Sequence, residues 1–153
     1  GCAGMADAAS ALPVPDGQRL RALAAGMATF DERRRRANDV AQVMAAYLRC
    51  HPAVLDVRYP GLTDDPSYEA AAANLEDGFG PAVDVLVDAD VAWRAVGRGV
   101  DGSVDLCGRY VPGATASRVQ RLATAAGGTW LRVECGCGDA RGLVAAAEAL
   151  LRP

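Results

Sequence analysis

The chain has 153 residues, of which 51% are apolar and 23% are charged, and its formal net charge is −3. These values predict one globular domain with a real core. They give no reason to expect nucleic acid or an anionic membrane as a partner, and no apolar run is long enough to span a bilayer. Five cysteines without the spacing of a disulfide framework indicate a reduced, cytoplasmic protein.

The first half of the chain is predicted to be helical and then to turn into a strand. Residues 1–15 are interpreted as a tag remnant or flexible leader, and residues 16–153 as a single domain. Asp16 is a candidate N-cap for a helix over Gly17–Cys50. Four consecutive arginines at 33–36 are interpreted as a solvated helix face rather than a nucleic-acid contact. His51-Pro52 ends the helix, because proline directs the residue before it into an extended path.

Strands and helices alternate through the rest of the chain. The predicted strands are Val54–Tyr59, Ala82–Val87, Ser103–Tyr110 and Thr129–Cys135. The predicted helices are Pro66–Glu76, a helix capped by Asp88 or Asp90 and ending near Gly97, Ala116–Ala125 and Asp139–Leu151. This order predicts helices packed on one sheet.

Three motifs occur in order along the chain. His51–Leu62 reads HP-x-V-x-x-V-x-YPGL, and Gly78-Phe79-Gly80 follows it. Trp130–Asp139 reads W-L-R-V-E-C-G-C-G-D, which resembles L-V-R-L-S-V-G-I-E-D. Together they resemble the C-terminal small domain of the Cys/Met-metabolism (transsulfuration) enzymes that use pyridoxal phosphate (PLP), such as cystathionine γ-synthase and γ-lyase. Upstream, Arg33 and Arg36 match an R-x-x-R element of the same family.

The resemblance implies an α/β fold of the α+β two-layer type. Its sheet would have about four antiparallel or mixed strands, with helices mainly on one face. It also implies a parent enzyme that uses PLP for elimination or replacement at the β- or γ-carbon of sulfur amino acids. The family's larger PLP-binding domain is not among these 153 residues.

All sixteen basic residues are arginine, so the chain contains no lysine. Enzymes of this kind hold PLP as a Schiff base on a lysine. We therefore expect that this chain alone binds no cofactor, is not catalytic and supplies no catalytic residue. A PLP-binding large domain or a lysine-bearing subunit would be its partner, and an amino-acid substrate would bind only with that partner.

The resemblance implies one substrate-binding residue, Arg132. Arg132 matches the family arginine that binds the substrate α-carboxylate, a task suited to a planar guanidinium. The alternative is a local salt bridge at a strand end. Arg109 is a weaker candidate, because it stands where the family has a serine in its L-A-E-S-L-G-G stretch.

The cysteines are interpreted structurally. Cys135 and Cys137 are close enough in sequence to share a soft metal, but they replace apolar residues of the family motif, so we predict two core thiols and no metal site. Cys50 and His51 are interpreted as a buried thiol and a turn histidine.

Two functions remain open from the sequence. The first is the C-terminal domain of a cystathionine synthase- or lyase-like enzyme. The alternative is a natural stand-alone, degenerate domain that acts as a non-catalytic binding or regulatory partner. A weaker reading is a generic α/β binding domain. An isolated domain of this family would expose the apolar surface that normally packs on its large partner, which predicts self-association as a homo-oligomer.

Overall fold

The computed structural model describes residues 16–91 and 116–152, together with the backbone of residues 103–105. The helices are α1 (Gly17–Ala28), α2 (Phe30–Arg49), α3 (Tyr68–Asn74) and α4 (Ala140–Leu151). The strands are β1 (Val54–Arg58), β2 (Ala82–Val87), β3 (Ser103–Asp105), β4 (Arg118–Ala125) and β5 (Gly128–Glu134). None of the helices in these ranges is both long and apolar enough to cross a bilayer.

The described strands form one antiparallel sheet in the order β1-β2-β5-β4-β3. This confirms the predicted α+β class. The sequence left an antiparallel or a mixed sheet open, and the described sheet is antiparallel. The sheet has five described strands rather than about four. Of the third predicted strand, only Ser103–Asp105 lies within the described residues.

The prediction of a helix over Ala116–Ala125 is wrong, because this segment contains β4. β4 pairs along its length with β5, from Arg118 opposite Glu134 to Ala125 opposite Gly128. The turn between them uses Gly127 at φ +93°, a conformation that favours glycine. Pairing across this turn overrides the helix propensity of an alanine-containing segment.

The predicted helix Gly17–Cys50 is two helices, interrupted at Thr29. The Thr29 backbone N–H donates to Met27 O and closes α1, and the predicted N-cap is confirmed because Asp16 Oδ1 accepts from Arg19 N at 2.8 Å. The chain divides into two compact units between Asp31 and Glu32. The described part of the first unit is mainly α1, which contains no buried residue.

The second unit has one core between helices and sheet. Alternate residues of β2 and β5 are buried, as expected for strands with one face on a core. From the helices, α2 contributes Ala41, Met44 and Leu48, and α4 contributes Leu143, Ala147 and Leu151. The strand side consists of Val57, Val83, Val85, Val87, Val119, Leu131 and Val133. Half-buried side chains therefore lie on the opposite face of the sheet, and this face carries Arg132.

Candidate functional site

The corner at His51-Pro52 ties the end of α2 to α4. His51 Nδ1 accepts a hydrogen bond from Ala53 N at 3.2 Å, and its Nε2 lies 3.3 Å from Glu148 Oε2. The Tyr47 hydroxyl donates to the same carboxylate. His51 is therefore a structural residue, as predicted. The prediction of a buried thiol at Cys50 is wrong, because Cys50 is exposed in the turn that follows the last residue of α2.

Residues of the YPGL and GFG motifs meet in one cluster. The buried Tyr59 donates its hydroxyl to Gly80 O at 3.0 Å, and its ring meets Phe79 edge-on at 6.5 Å between centroids. Gly61 lies so close that a Cβ there would overlap Gln42 and the Tyr59 ring. Asp65 holds the following turn by accepting from Tyr59 N at 2.9 Å. The two motifs thus specify one packed corner.

A second glycine contact fixes the start of the GFG motif. Gly78 has φ +113°, and a Cβ at this position would lie 2.7 Å from Asn38 atoms. Asn38 is buried and donates through Nδ2 to Asp77 O at 2.7 Å. Arg34, from the run of four arginines, pairs with the Asp77 carboxylate at 2.9 Å. Part of that run therefore has a structural partner that is distant in sequence.

Arg132 lies at the centre of the sheet face that is turned away from the core. Strand register places Arg58, Asp84, Arg132 and Gln120 in one row across β1, β2, β5 and β4. Arg132 pairs with Asp84 through two parallel bonds, Nε to Oδ1 at 2.7 Å and Nη2 to Oδ2 at 2.8 Å. The hydrogen bond to Asp84 is the main cause that raises the pKa of Arg132. The guanidinium therefore already holds an internal carboxylate.

Neighbouring charges on this face are also engaged. Arg118 Nε donates to Glu134 at 3.0 Å in the next row of the sheet. The Arg58 guanidinium carbon lies 5.2 Å from the centroid of the Trp130 ring, a cation–π distance. Cations and carboxylates thus alternate across the face, and the Asp84–Arg132 pair is at its centre.

A groove of about 420 Å³ lies beside this pair. Its charged lining groups are Arg58, Asp65, Asp84 and Arg132, and the motif cluster supplies the rest of the wall. The remaining lining residues are Tyr59, Pro60, Pro66, Ser67, Phe79, Gly80, Pro81 and Ala82. A groove with both charge signs and an arginine fork can receive a small carboxylate-bearing ligand.

The other candidates are not brought to this groove. Arg109 lies outside the described residues. Cys135 is buried, and burial raises the pKa of its thiol to about 12. Cys137 is half-buried. Among the described residues, no group of three or more histidine, cysteine, aspartate or glutamate side chains is arranged to hold a metal ion.

Sequence reasoning missed Asp84, Asn38 and Glu148. Asp84 alternates with the valines of β2, which placed it on the face opposite the core, but its partner depends on strand order and register. Asn38 and Glu148 have partners far away in sequence. Asn38 contacts Asp77, and Glu148 contacts His51. The sequence predicts the face on which each residue lies from the periodicity of its element, but it does not predict the partner.

Solved structures of larger proteins share this fold, and two of them illustrate the likeness. A putative O-acetylhomoserine (thiol)-lyase from Campylobacter jejuni superposes on 80% of the chain with a TM-score of 0.66 and 16% identity. MetB from Corynebacterium glutamicum also covers 80% of the chain, with a TM-score of 0.66 and 27% identity. The superposed part is 29% of the first chain and 34% of the second. The fold is therefore that of one portion of these larger proteins.

Sequence comparison then identifies the family. Cystathionine gamma-synthase 1, chloroplastic, from Arabidopsis thaliana is 39% identical over 66 residues, which are 43% of this chain and 12% of that protein. Residues 13–101, more than half of the chain, match the Cys/Met metabolism PLP-dependent enzyme family. The chain belongs to this family, which confirms the resemblance predicted from its motifs. It spans about a third or less of the length of each of these relatives.

Proposed function

We propose that this chain forms the C-terminal part of a PLP-dependent enzyme of sulfur amino-acid metabolism, similar to cystathionine γ-synthase or γ-lyase. Arg132 carries the proposal, because it occupies the motif position of the family's carboxylate-binding arginine and lines a groove beside the packed corner of Tyr59 and Phe79. Its role is to bind the α-carboxylate of the amino-acid substrate. The reaction would be elimination or replacement at the β- or γ-carbon.

The cofactor would be held by residues outside this chain. PLP supplies an electron sink for carbanion chemistry when it is bound. The Campylobacter jejuni structure contains N′-pyridoxyl-lysine-5′-monophosphate, which is PLP joined to a lysine. The 153 residues here include no lysine and do not fit that attachment, so we assign them no step of the reaction. A large domain or a lysine-bearing subunit would provide the lysine that holds PLP. The whole enzyme would work in a reducing compartment such as the cytoplasm.

The Asp84–Arg132 pair favours a second candidate function. An arginine whose fork already holds an internal carboxylate is less available to a substrate carboxylate, as expected in a domain that has lost catalysis. Such a domain would act alone as a non-catalytic binding or regulatory partner. Under this alternative, the Arg132–Asp84 contact is a structural ion pair.

The native protein distinguishes the two candidates. An antibody raised against this chain would capture the protein from a lysate of the source organism after reduction with borohydride, which fixes PLP to its lysine. We expect a band more than twice the 15.8 kDa of this chain, or a co-purifying subunit, that carries a pyridoxyl-lysine peptide. A lone band near 15.8 kDa with no such peptide supports the stand-alone domain instead.

A further inference from the structure

β1 lies at one edge of the sheet, with β2 as its neighbour among the described strands. A groove of about 370 Å³ is lined by the five residues of β1 together with Arg49, Asp64, Asp65 and Pro66. A strand at a sheet edge presents backbone N–H and C=O groups that a strand from another chain can take. The state of these outward groups therefore decides whether the edge of β1 can associate.

The outward N–H groups at this edge are occupied by carboxylates. Residues of an antiparallel strand bond alternately to the neighbouring strand and away from it. Val57 N donates to Asp56 Oδ1 at 2.9 Å, and Tyr59 N, just past the strand, donates to Asp65 Oδ2 at 2.9 Å. Both N–H groups are therefore turned away from β2 and held within the chain. A register shift between Val54 and Asp56 also interrupts the edge, as bulges commonly do.

The sequence of this edge is nevertheless complementary to itself. Val57 has an acidic residue before it and a basic residue after it. Antiparallel pairing of two copies about Val57 would place Asp56 of each copy opposite Arg58 of the other. Opposite charges in directly facing positions stabilise a strand pair. The strand that fits this edge by charge is therefore β1 of a second copy.

We propose that the outer edge of β1 is a strand-pairing surface for a second copy of this chain, and that Asp56 and Asp65 keep it closed. While Asp56 accepts from Val57 N, the central hydrogen bond of the strand pair cannot form. Removing both carboxylates frees the two outward N–H groups and opens the edge. The proposal does not depend on the function proposed above, because it uses only the β1 backbone and these two carboxylates.

The test uses the full 153-residue chain with Leu23→Glu/Met27→Glu as a background, because these two exposed apolar residues of α1 are a separate cause of association. Asp56→Ala/Asp65→Ala is added to it, and light scattering follows the mass at increasing concentration and constant ionic strength. We expect the mass to rise from 15.8 kDa toward twice that value. Amide hydrogen exchange at Val57, measured by NMR, should slow about tenfold when about nine-tenths of the chains are paired. The background alone should stay monomeric.

Asp56→Asn/Asp64→Asn in the same background is the matched control. It removes two negative charges from the same groove, but the asparagine at position 56 keeps an acceptor oxygen and Asp65 is unchanged, while Asp64 pairs with Arg49. This control should stay monomeric.

Circular dichroism checks the fold of each variant. If Asp56→Ala/Asp65→Ala unfolds, Asp56→Ala alone takes its place and should pair more weakly. The proposal is overturned if the folded alanine variant stays monomeric, if it associates without slower exchange at Val57, or if the asparagine control associates equally. None of these results bears on the pyridoxyl-lysine experiment.

Discussion

Tyr59 connects two motifs of the sequence through a single buried hydroxyl. The side chain is fully buried and donates to Gly80 O at 3.0 Å. Tyr59→Phe keeps the ring against Phe79 but leaves this carbonyl without its donor. We expect a loss of about 1 to 2 kcal/mol in the free energy of unfolding, measured by urea denaturation at pH 7. Tyr68→Phe, which retains the ring stacked on Phe79 at 5.8 Å, is the control and should have a smaller effect.

The same tyrosine predicts loss of stability at alkaline pH. Burial raises the pKa of Tyr59 to about 12, from an ordinary value of 10. Since the folded state holds the phenolic proton more tightly than the unfolded state, stability is intact below pH 10 and falls as the pH rises from 10 toward 12. Tyr47, whose pKa is also raised to about 12, acts in the same range.

Urea midpoints measured between pH 9 and 12 would follow this loss of stability. The loss should occur between the ordinary tyrosine pKa of about 10 and the raised pKa of the folded state. Tyr59→Phe should have a flatter alkaline slope than the wild type, and the double variant Tyr47→Phe/Tyr59→Phe should be flatter still. A slope that is the same in the wild type and in both variants would contradict the assignment.

Cysteine reactivity should follow burial. Cys135 is buried, and its thiol pKa is raised to about 12, whereas Cys50 is exposed. The thiolate is the reactive form, so iodoacetamide at neutral pH should modify Cys50 well before Cys135. Mass spectrometry of the two peptides over time provides the measurement. The difference should vanish in denaturant, and equal rates in the folded chain would show that Cys135 is accessible.

At the scale of single elements, the β4–β5 turn depends on two adjacent glycines for different reasons. Gly127 has φ +93° with open space around it, whereas a Cβ on Gly128 would lie 2.5 Å from the Val87 backbone oxygen of β2. Gly127→Ala should cost about 1 kcal/mol of backbone strain. Gly128→Ala has to separate β5 from β2 and should cost about 2 to 3 kcal/mol.

Thermal or urea unfolding of the two single variants compares these effects directly. Gly80→Ala is a useful reference, because Gly80 also has a positive φ, +94°, and a Cβ on this residue would meet no atom within 4 Å. It should resemble Gly127→Ala. If Gly127→Ala lowered the free energy of unfolding more than Gly128→Ala, the prediction that the close approach of Gly128 to β2 has the larger cost would be wrong.

The elements differ in how far local sequence predicts them. The buried residues of β2 and β5 fall on alternate positions, mostly at valine or leucine, so the buried face of each strand follows from the pattern. β4 has no such alternation beyond Val119, since Leu122 is exposed and its alanines suit a helix equally well. Its strand conformation comes from pairing with β5, and that information is not local. Similarly, Arg132 was predicted from its motif, but Asp84 became part of the site only through the register of two strands.

At the scale of the whole molecule, the first unit presents an apolar stripe to solvent. The stripe consists of Leu20, Leu23 and Met27 of α1 and Phe30 at the start of α2, which recur at steps of three and four and are 49%, 60%, 69% and 55% exposed. A stripe of this kind normally packs on another surface. In the proposed enzyme that surface would belong to the PLP-binding domain. In the isolated chain, we expect the stripe to drive self-association.

Light scattering with size exclusion tests this expectation. The wild-type chain should have an average mass above 15.8 kDa that increases with concentration. Leu23→Glu/Met27→Glu places two charges within the stripe and should give a monomer, because burying unpaired carboxylates in an apolar contact is costly. Ala25→Glu adds a charge to the exposed, opposite face of the same helix and should associate like the wild type. A monomeric wild type at high concentration would contradict the prediction, and association that persists in the double variant would assign it to another surface.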